Sequence, residues 1–143
     1  MSSVNAKKRS GGEVGPACAA GDVRLGALFD QATTSLHQAV DALEPECLSG
    51  SDAKDLYGSV VEVLRLATAA KLALATRIES SGIWKESGHK NAATLIAVTE
   101  GVGVGDARST LETGKALVDA PETAEALRDG QLSEPQVKEL AGA

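Results

Sequence analysis

The sequence predicts an all-α protein, and three observations carry that expectation. Apolar residues recur at spacings of three and four in every patterned segment. No segment alternates apolar and polar residues long enough to make a strand. Aromatics make up only 2% of the 143 residues, so the core must be built from Leu, Val, Ile and Ala, which suits closely packed helices. About six helices are expected: two long ones first, then a set of shorter ones.

Residues 1–21 are rich in Ser, Gly and Ala, lack periodicity, and read as a disordered tail. The helical domain is expected over 22–143. Asp22 can cap a first helix to about Leu43, with Leu25, Leu28, Phe29, Ala32, Leu36, Val40 and Leu43 as its stripe and His37 beside it. Pro45 ends it. Ser51 or Asp52 caps a second helix reaching about Ser80, ~28 residues and so ~42 Å long. Its expected core face is Leu56, Val60, Val63, Leu64, Ala67, Ala70, Leu74 and Ile78, with Glu62 and Arg65 on the solvated side.

Ser81-Gly82 breaks that pattern, and Ile83 and Trp84 fall in a connection ending near Gly88. Asn91 can cap a third helix whose apolar residues are Ala92, Leu95, Ile96 and Val98. Gly101, Gly103 and Gly105 close it. A fourth helix runs from Gly105 or Asp106 to Val118 and buries Ala107, Leu111 and Val118. Pro121 suits the first turn of a fifth helix over Glu122–Arg128, and Gly130 suits the position just past its end. Ser133 with Gln136 forms a capping box for the last helix, which carries Val137 and Leu140.

The residues of the last third follow a recognisable order. Gly88 precedes the third helix and Leu95 lies in it; Gly101-Val102 starts the turn and Ala107-Arg108 opens the fourth helix. Leu117, Pro121, Thr123, Ala124 and Leu127 follow, then Gly130, Leu132, Ser133, Gln136 and Val137. In this pattern residues 82–142 resemble the DUF222, or 13E12 repeat, family of actinobacterial proteins. The helix before it fits more loosely. Thr94 stands where that family often has an aromatic residue, commonly Trp. The resemblance implies a helical domain lying upstream of a C-terminal HNH nuclease domain, and relative to that arrangement the chain stops short at Ala143.

The resemblance does not make this chain a nuclease. HNH chemistry needs a general-base His, a metal ligand and an orienting Asn, whereas His37 and His89 fall in different expected elements. His89 reads as a loop residue beside a helix start. No catalytic, metal or cofactor residue is assigned, and no small-molecule substrate is evident. Gly101–Gly105 forms a GxGxG run, but it follows a helix where a dinucleotide site would need a strand. Cys18 and Cys47, 29 residues apart with no CxxC, read as isolated reduced thiols. No apolar stretch approaches the ~20 residues that span a bilayer, so a cytoplasmic location is expected.

Partners are the open question. The net charge of −6 disfavours nonspecific DNA binding by the whole domain. Residues 82–143 hold six Lys or Arg against ten Asp or Glu. Two readings of residues 91–118 stand side by side. One is a DNA-reading helix-turn-helix presenting Arg108, Ser109, Glu112 and Lys115; the other is an αα-hairpin that serves only the core. Candidate DNA contacts are Lys7, Lys8 and Arg9 in the tail and Arg108 and Lys115 in the fourth helix. Protein partners, including a second copy of the chain, are the alternative.

Overall fold

The computed structural model of the chain describes residues 16–142, and these form α-helices and one short 3-10 turn with no strand among them. The chain divides into two units, one ending at Leu48 and one beginning at Ser49. Of the tail expected over residues 1–21, residues 1–15 lie outside the described residues.

The first unit holds α1, Pro16–Ala42, and the 3-10 turn Pro45–Cys47. The helix starts six residues ahead of Asp22, which is therefore an interior residue and not the cap. Proline is well placed at a helix start because the missing N–H would have no partner there, and the following alanines favour helix. The expected stripe is present but uncovered, with Leu25, Leu28, Phe29, Leu36, Val40 and Leu43 all exposed. His37 is exposed on the same helix.

The second unit is a bundle of six α-helices among the described residues: α2 (Gly50–Ser81), α3 (Ile83–Glu86), α4 (Ala92–Glu100), α5 (Val104–Val118), α6 (Pro121–Arg128) and α7 (Glu134–Gly142). The caps are local and legible. Ser49 Oγ accepts from Asp52 N at 3.0 Å, two or three residues before the expected cap. Asn91 Oδ1 accepts from Thr94 N at 2.8 Å. Ser133 N donates to Gln136 Oε1 at 2.8 Å and Gln136 N donates back to Ser133 Oγ at 3.4 Å, closing the capping box. The expected connection at Ile83 and Trp84 is instead the single turn α3, whose Trp84 Nε1 donates to Glu79 O at 3.4 Å.

Three helix ends share one device. Gly88, Gly101 and Gly130 have φ of 82°, 79° and 75°. The next N–H in each case reaches back five residues: His89 N to Trp84 O, Val102 N to Ala97 O and Gln131 N to Ala126 O, at 2.9–3.0 Å. This is the Schellman termination, and its left-handed residue carries no steric cost only when it is glycine.

Helix α5 packs on α2, α4, α6 and α7 and is the hub of the unit. Two clusters of buried side chains lie along it. Ala75, Ala92, Ala93, Ile96, Ala97, Ala107 and Leu111 form one, with Ile78 and Trp84 against it. Leu72, Leu117, Leu127 and Val137 form the other, with Ala69, Ala124 and Leu132 against it. Gly114 lies between α5 and α2, where a Cβ would meet Thr76 Oγ1 and come within 3.0 Å of Leu72 O. Thr110 and Thr113 are also buried, and each satisfies its hydroxyl on the carbonyl four residues back, Asp106 O at 3.2 Å and Ser109 O at 2.8 Å.

The main correction concerns which face of α2 is inside. Taking Leu56 as the origin and ~100° per residue, the expected stripe lies around 0°. The buried or half-buried residues Val61, Arg65, Thr68, Leu72 and Ala75 lie at roughly 100–180° by the same count. The core therefore uses the opposite face. Leu56, Val60, Val63, Leu64 and Leu74 are exposed, and of the expected stripe only Ile78 packs against a core cluster. Arg65, expected in solvent, is half-buried, and its Nε is buried with no partner among the described residues. Val118, expected to be buried, is likewise exposed, as are the apolar Val98 and Leu140. In each case the sequence showed an apolar residue at helical spacing, and the neighbouring helix arrived on another side.

Candidate nucleic-acid interface

Helices α4 and α5, joined at Gly101–Gly103, are the elements that could form a helix-turn-helix. The Asn91 cap fixes the start of α4 and the Gly101 termination fixes its end. Gly103 is the N-cap of α5 and supplies no side-chain cap. On α5 the inward residues are Ala107, Thr110, Leu111, Gly114 and Leu117. Arg108, Glu112 and Lys115 are exposed at spacings of four and three, so the helix gathers them on one outer face. Ser109 is half-buried and its carbonyl serves Thr113.

The charges on that face largely compensate one another. Glu112 stands between the two cations in the helical register. Lys115 Nζ reaches Glu79 Oε1 of α2 at 3.2 Å. Arg108 has no ion-pair partner among the described residues. Lys7, Lys8 and Arg9 lie outside the described residues, so of the five candidate contacts the structure brings together Arg108 and Lys115 alone.

A second polar cluster was not foreseen. Lys71 Nζ lies 3.0 Å from Glu100 Oε2 and 3.5 Å from Glu134 Oε1, and Lys138 Nζ lies 3.3 Å from Glu134 Oε2. It ties the middle of α2 to the end of α4 and the start of α7. Burial pulls the Lys71 ammonium down, but the Glu100 hydrogen bond and the charges of Glu134 and Glu100 outweigh it and hold its pKa above the ordinary value. Burial pushes the Glu134 carboxyl up, but the Lys71 charge and the Lys138 hydrogen bond hold its pKa below the ordinary value. Its partners are 29 and 63 residues from Lys71, so no local pattern could have revealed the cluster. Each acid here faces a cation, which makes this a clamp between helices rather than an acid–base pair.

An open groove of about 530 Å³ runs between α2, α5 and α6, walled by Ala69, Ala73, Gly114, Leu117 and Leu127, with Arg128 as the charged residue of its lining. Its hydroxyl, Thr76 Oγ1, is spent on Leu72 O at 3.1 Å. Among the described residues no group of three His, Cys, Asp or Glu is placed to hold a metal. Cys47 is exposed and free. No described helix is long and apolar enough to cross a membrane.

Comparison with known proteins adds no relative: no family model, no curated protein and no solved structure matches the chain.

Proposed function

We propose that this chain is a non-catalytic helical accessory domain, of the kind that precedes the nuclease in DUF222–HNH proteins, and that it helps position DNA or the nuclease without cutting. What supports this is the part played by the residues of the resemblance. Gly88, Gly101 and Gly130 make the three Schellman turns. Ala107, Leu117, Leu127 and Val137 are core, and Ser133 and Gln136 form the capping box. A pattern made of turns, caps and core residues specifies a scaffold. Its functional surface must then be an outer face, and the α5 face with Arg108 and Lys115 is the one the resemblance also touches. A cytoplasmic location goes with this reading.

The compensation of Lys115 by Glu79, and of both cations by Glu112, limits what the face can do alone. Phosphate contacts supply most nonspecific affinity. The isolated chain is expected to bind duplex DNA no more tightly than on the order of 10⁻⁴ M at physiological salt, with Lys7, Lys8 and Arg9 contributing more than α5. Fluorescence anisotropy with the full chain and with a version lacking residues 1–20 measures this. Submicromolar binding that survives the deletion and is lost on Arg108→Ala would replace the accessory role with a sequence reader. Incubation with plasmid and Mg²⁺, Mn²⁺ or Zn²⁺ is expected to leave it intact; nicking abolished by His89→Ala would show a catalytic role.

A further inference from the structure

Helix α2 outruns the bundle it belongs to. Every residue from Gly50 to Val60 is exposed, so the second unit buries nothing along the first third of the helix. Most helical stability comes from the packing of an apolar face, and α2 has such a face to offer. With Leu56 at 0° and ~100° per residue, Val63, Ala67 and Leu74 lie within ~20° and Val60 and Ala70 within ~40°. All of these are exposed except the half-buried Ala70. The buried Leu72 and Ala75 lie at ~160° and ~100°, so the face continues down the outside of the bundle as far as Leu74.

The two ends of this face match each other in size and in charge. Turning the helix end for end about the level of Arg65 sets Leu56 on Leu74, Val60 on Ala70 and Val63 on Ala67. Each valine then meets an alanine, the large-against-small facing that lets layers interdigitate. Asp52, Asp55 and Arg77 flank the face on one side, at roughly −40°, −100° and −60°. They are exposed, and none has an ion-pair partner among the described residues. The same turn brings Arg77 opposite Ala53, between Asp52 and Asp55.

We propose that a second copy of this chain docks on this face, the two α2 helices pairing antiparallel about a two-fold axis level with Arg65. A two-fold interface requires one patch to match itself, and the reversal above shows that this one does. In such a pair the same flank of each helix meets its own copy, so Arg77 of each reaches Asp52 and Asp55 of the other. The projecting third of each α2 then lies along the bundle-carrying part of the other. A parallel pair would instead set Asp against Asp and Arg against Arg. Lys71 stands on the opposite edge, at ~60°, where Glu100 and Glu134 already meet its charge. No other charged residue of α2 lies on that edge, so Lys71 faces no like charge of the other helix. One helix from each copy makes a small contact, of the class below about 1,200 Å² that serves transient association. The flanking charges therefore choose partner and orientation more than they add affinity. The proposal stands apart from any role with DNA.

Sedimentation velocity on the full chain, from micromolar to several hundred micromolar, is expected to show the mass rising from 14.5 kDa toward twice that value. Arg77→Glu, and separately Asp52→Lys with Asp55→Lys, each set like charges together at both ends of the pair. Each is expected to weaken association at least about tenfold. Mixed in equal amounts, these two variants restore opposite charges at both ends, and association is expected to return to within about threefold of wild type. Trp84 packs against the first core cluster, so its unchanged emission in each variant shows that the second unit is still folded, and rescue on mixing is not open to a misfolded chain. A wild-type chain that remains monomeric over the whole range overturns the proposal. So do a higher oligomer, variants that associate singly as wild type does, and a mixture that stays monomeric.

Discussion

Replacing Gly114 by Ala tests the closest helix–helix approach in the fold. In an open helix interior the change stabilises, because alanine is favoured over glycine by about 0.8–1 kcal/mol. Here the new methyl would collide with Thr76 Oγ1 and stand 3.0 Å from Leu72 O. Neither obstacle moves freely. Leu72 O is backbone, and Thr76 is β-branched, with its hydroxyl donated to that same carbonyl at 3.1 Å. Relief must come from α2 and α5 moving apart, which loosens Leu72 and Leu117 in the second core cluster. Overpacking of this kind costs about 1–3 kcal/mol. Set against the propensity gain, the net expectation is a loss of up to about 2 kcal/mol, or a fall in Tm of up to roughly 15 °C for a unit of this size. The control is Gly105→Ala, which has open space around it in the first turn of the same helix and should gain a few tenths of a kcal/mol. Thr76→Ala placed on top of Gly114→Ala should recover part of the loss, since one of the two obstacles is gone. Urea titration followed by circular dichroism and by Trp84 emission measures all four. Gly114→Ala that stabilises as much as Gly105→Ala would refute the close approach of α2 and α5.

Leu72→Ala, at a site only 1% exposed, is expected to cost about 3 kcal/mol in the same titration; a cost below 1 kcal/mol would mean that α2 does not present this face to the core. Asn91→Ala removes the cap of α4 and should cost about 1 kcal/mol, whereas a neutral result would show that backbone N–H groups there are satisfied by water. The Lys71 clamp makes stability depend on pH at both extremes. The Glu134 pKa is lowered on folding, so its contribution is present above the ordinary 4.5 and is lost as pH falls through the folded value. The Lys71 pKa is raised, so its contribution is present below the ordinary 10.5 and is lost as pH rises through the folded value. These side chains are about one-third exposed, so Lys71→Met should cost no more than about 1 kcal/mol at pH 7 and should flatten both limbs of the stability profile; limbs that keep their slope would assign the dependence to other groups.

Element type and most boundaries were legible because they rest on local chemistry. Asn91, the Ser133–Gln136 box, Pro121 and the glycines at 88, 101 and 130 act within a few residues of themselves. The facing of α2 was not legible, because the helix carries apolar residues on both sides. Its larger side chains, Leu56 and Val60 among them, mark the open side, while the core side is built from Leu72, Ala75 and the small Ala69 and includes Thr68 and Arg65. Hydropathy weighs size and cannot see that a close-packed crossing needs small residues. Gly114 was the overlooked clue, since a glycine inside a helical pattern often marks another backbone passing close by. At the candidate interface the exposure of Arg108 and Lys115 was legible from helical spacing. The pairing of Lys115 with Glu79 was not, because it depends on where α2 passes.

The two core clusters share α2 and α5 but differ in what completes them. Helices α3 and α4 complete the alanine-rich cluster, while α6 and α7 complete the one around Leu72. Such an arrangement can open in parts. Release of α6 and α7 bares Leu72 and Leu117 yet leaves Ala75, Ile96 and Leu111 packed. Amide exchange should therefore be slowest where α2 and α5 cross α4, and quicker towards the chain end. A partner that grips α6 or α7 would slow exchange in those helices first, so the pattern of protection would reveal which end of the bundle it holds.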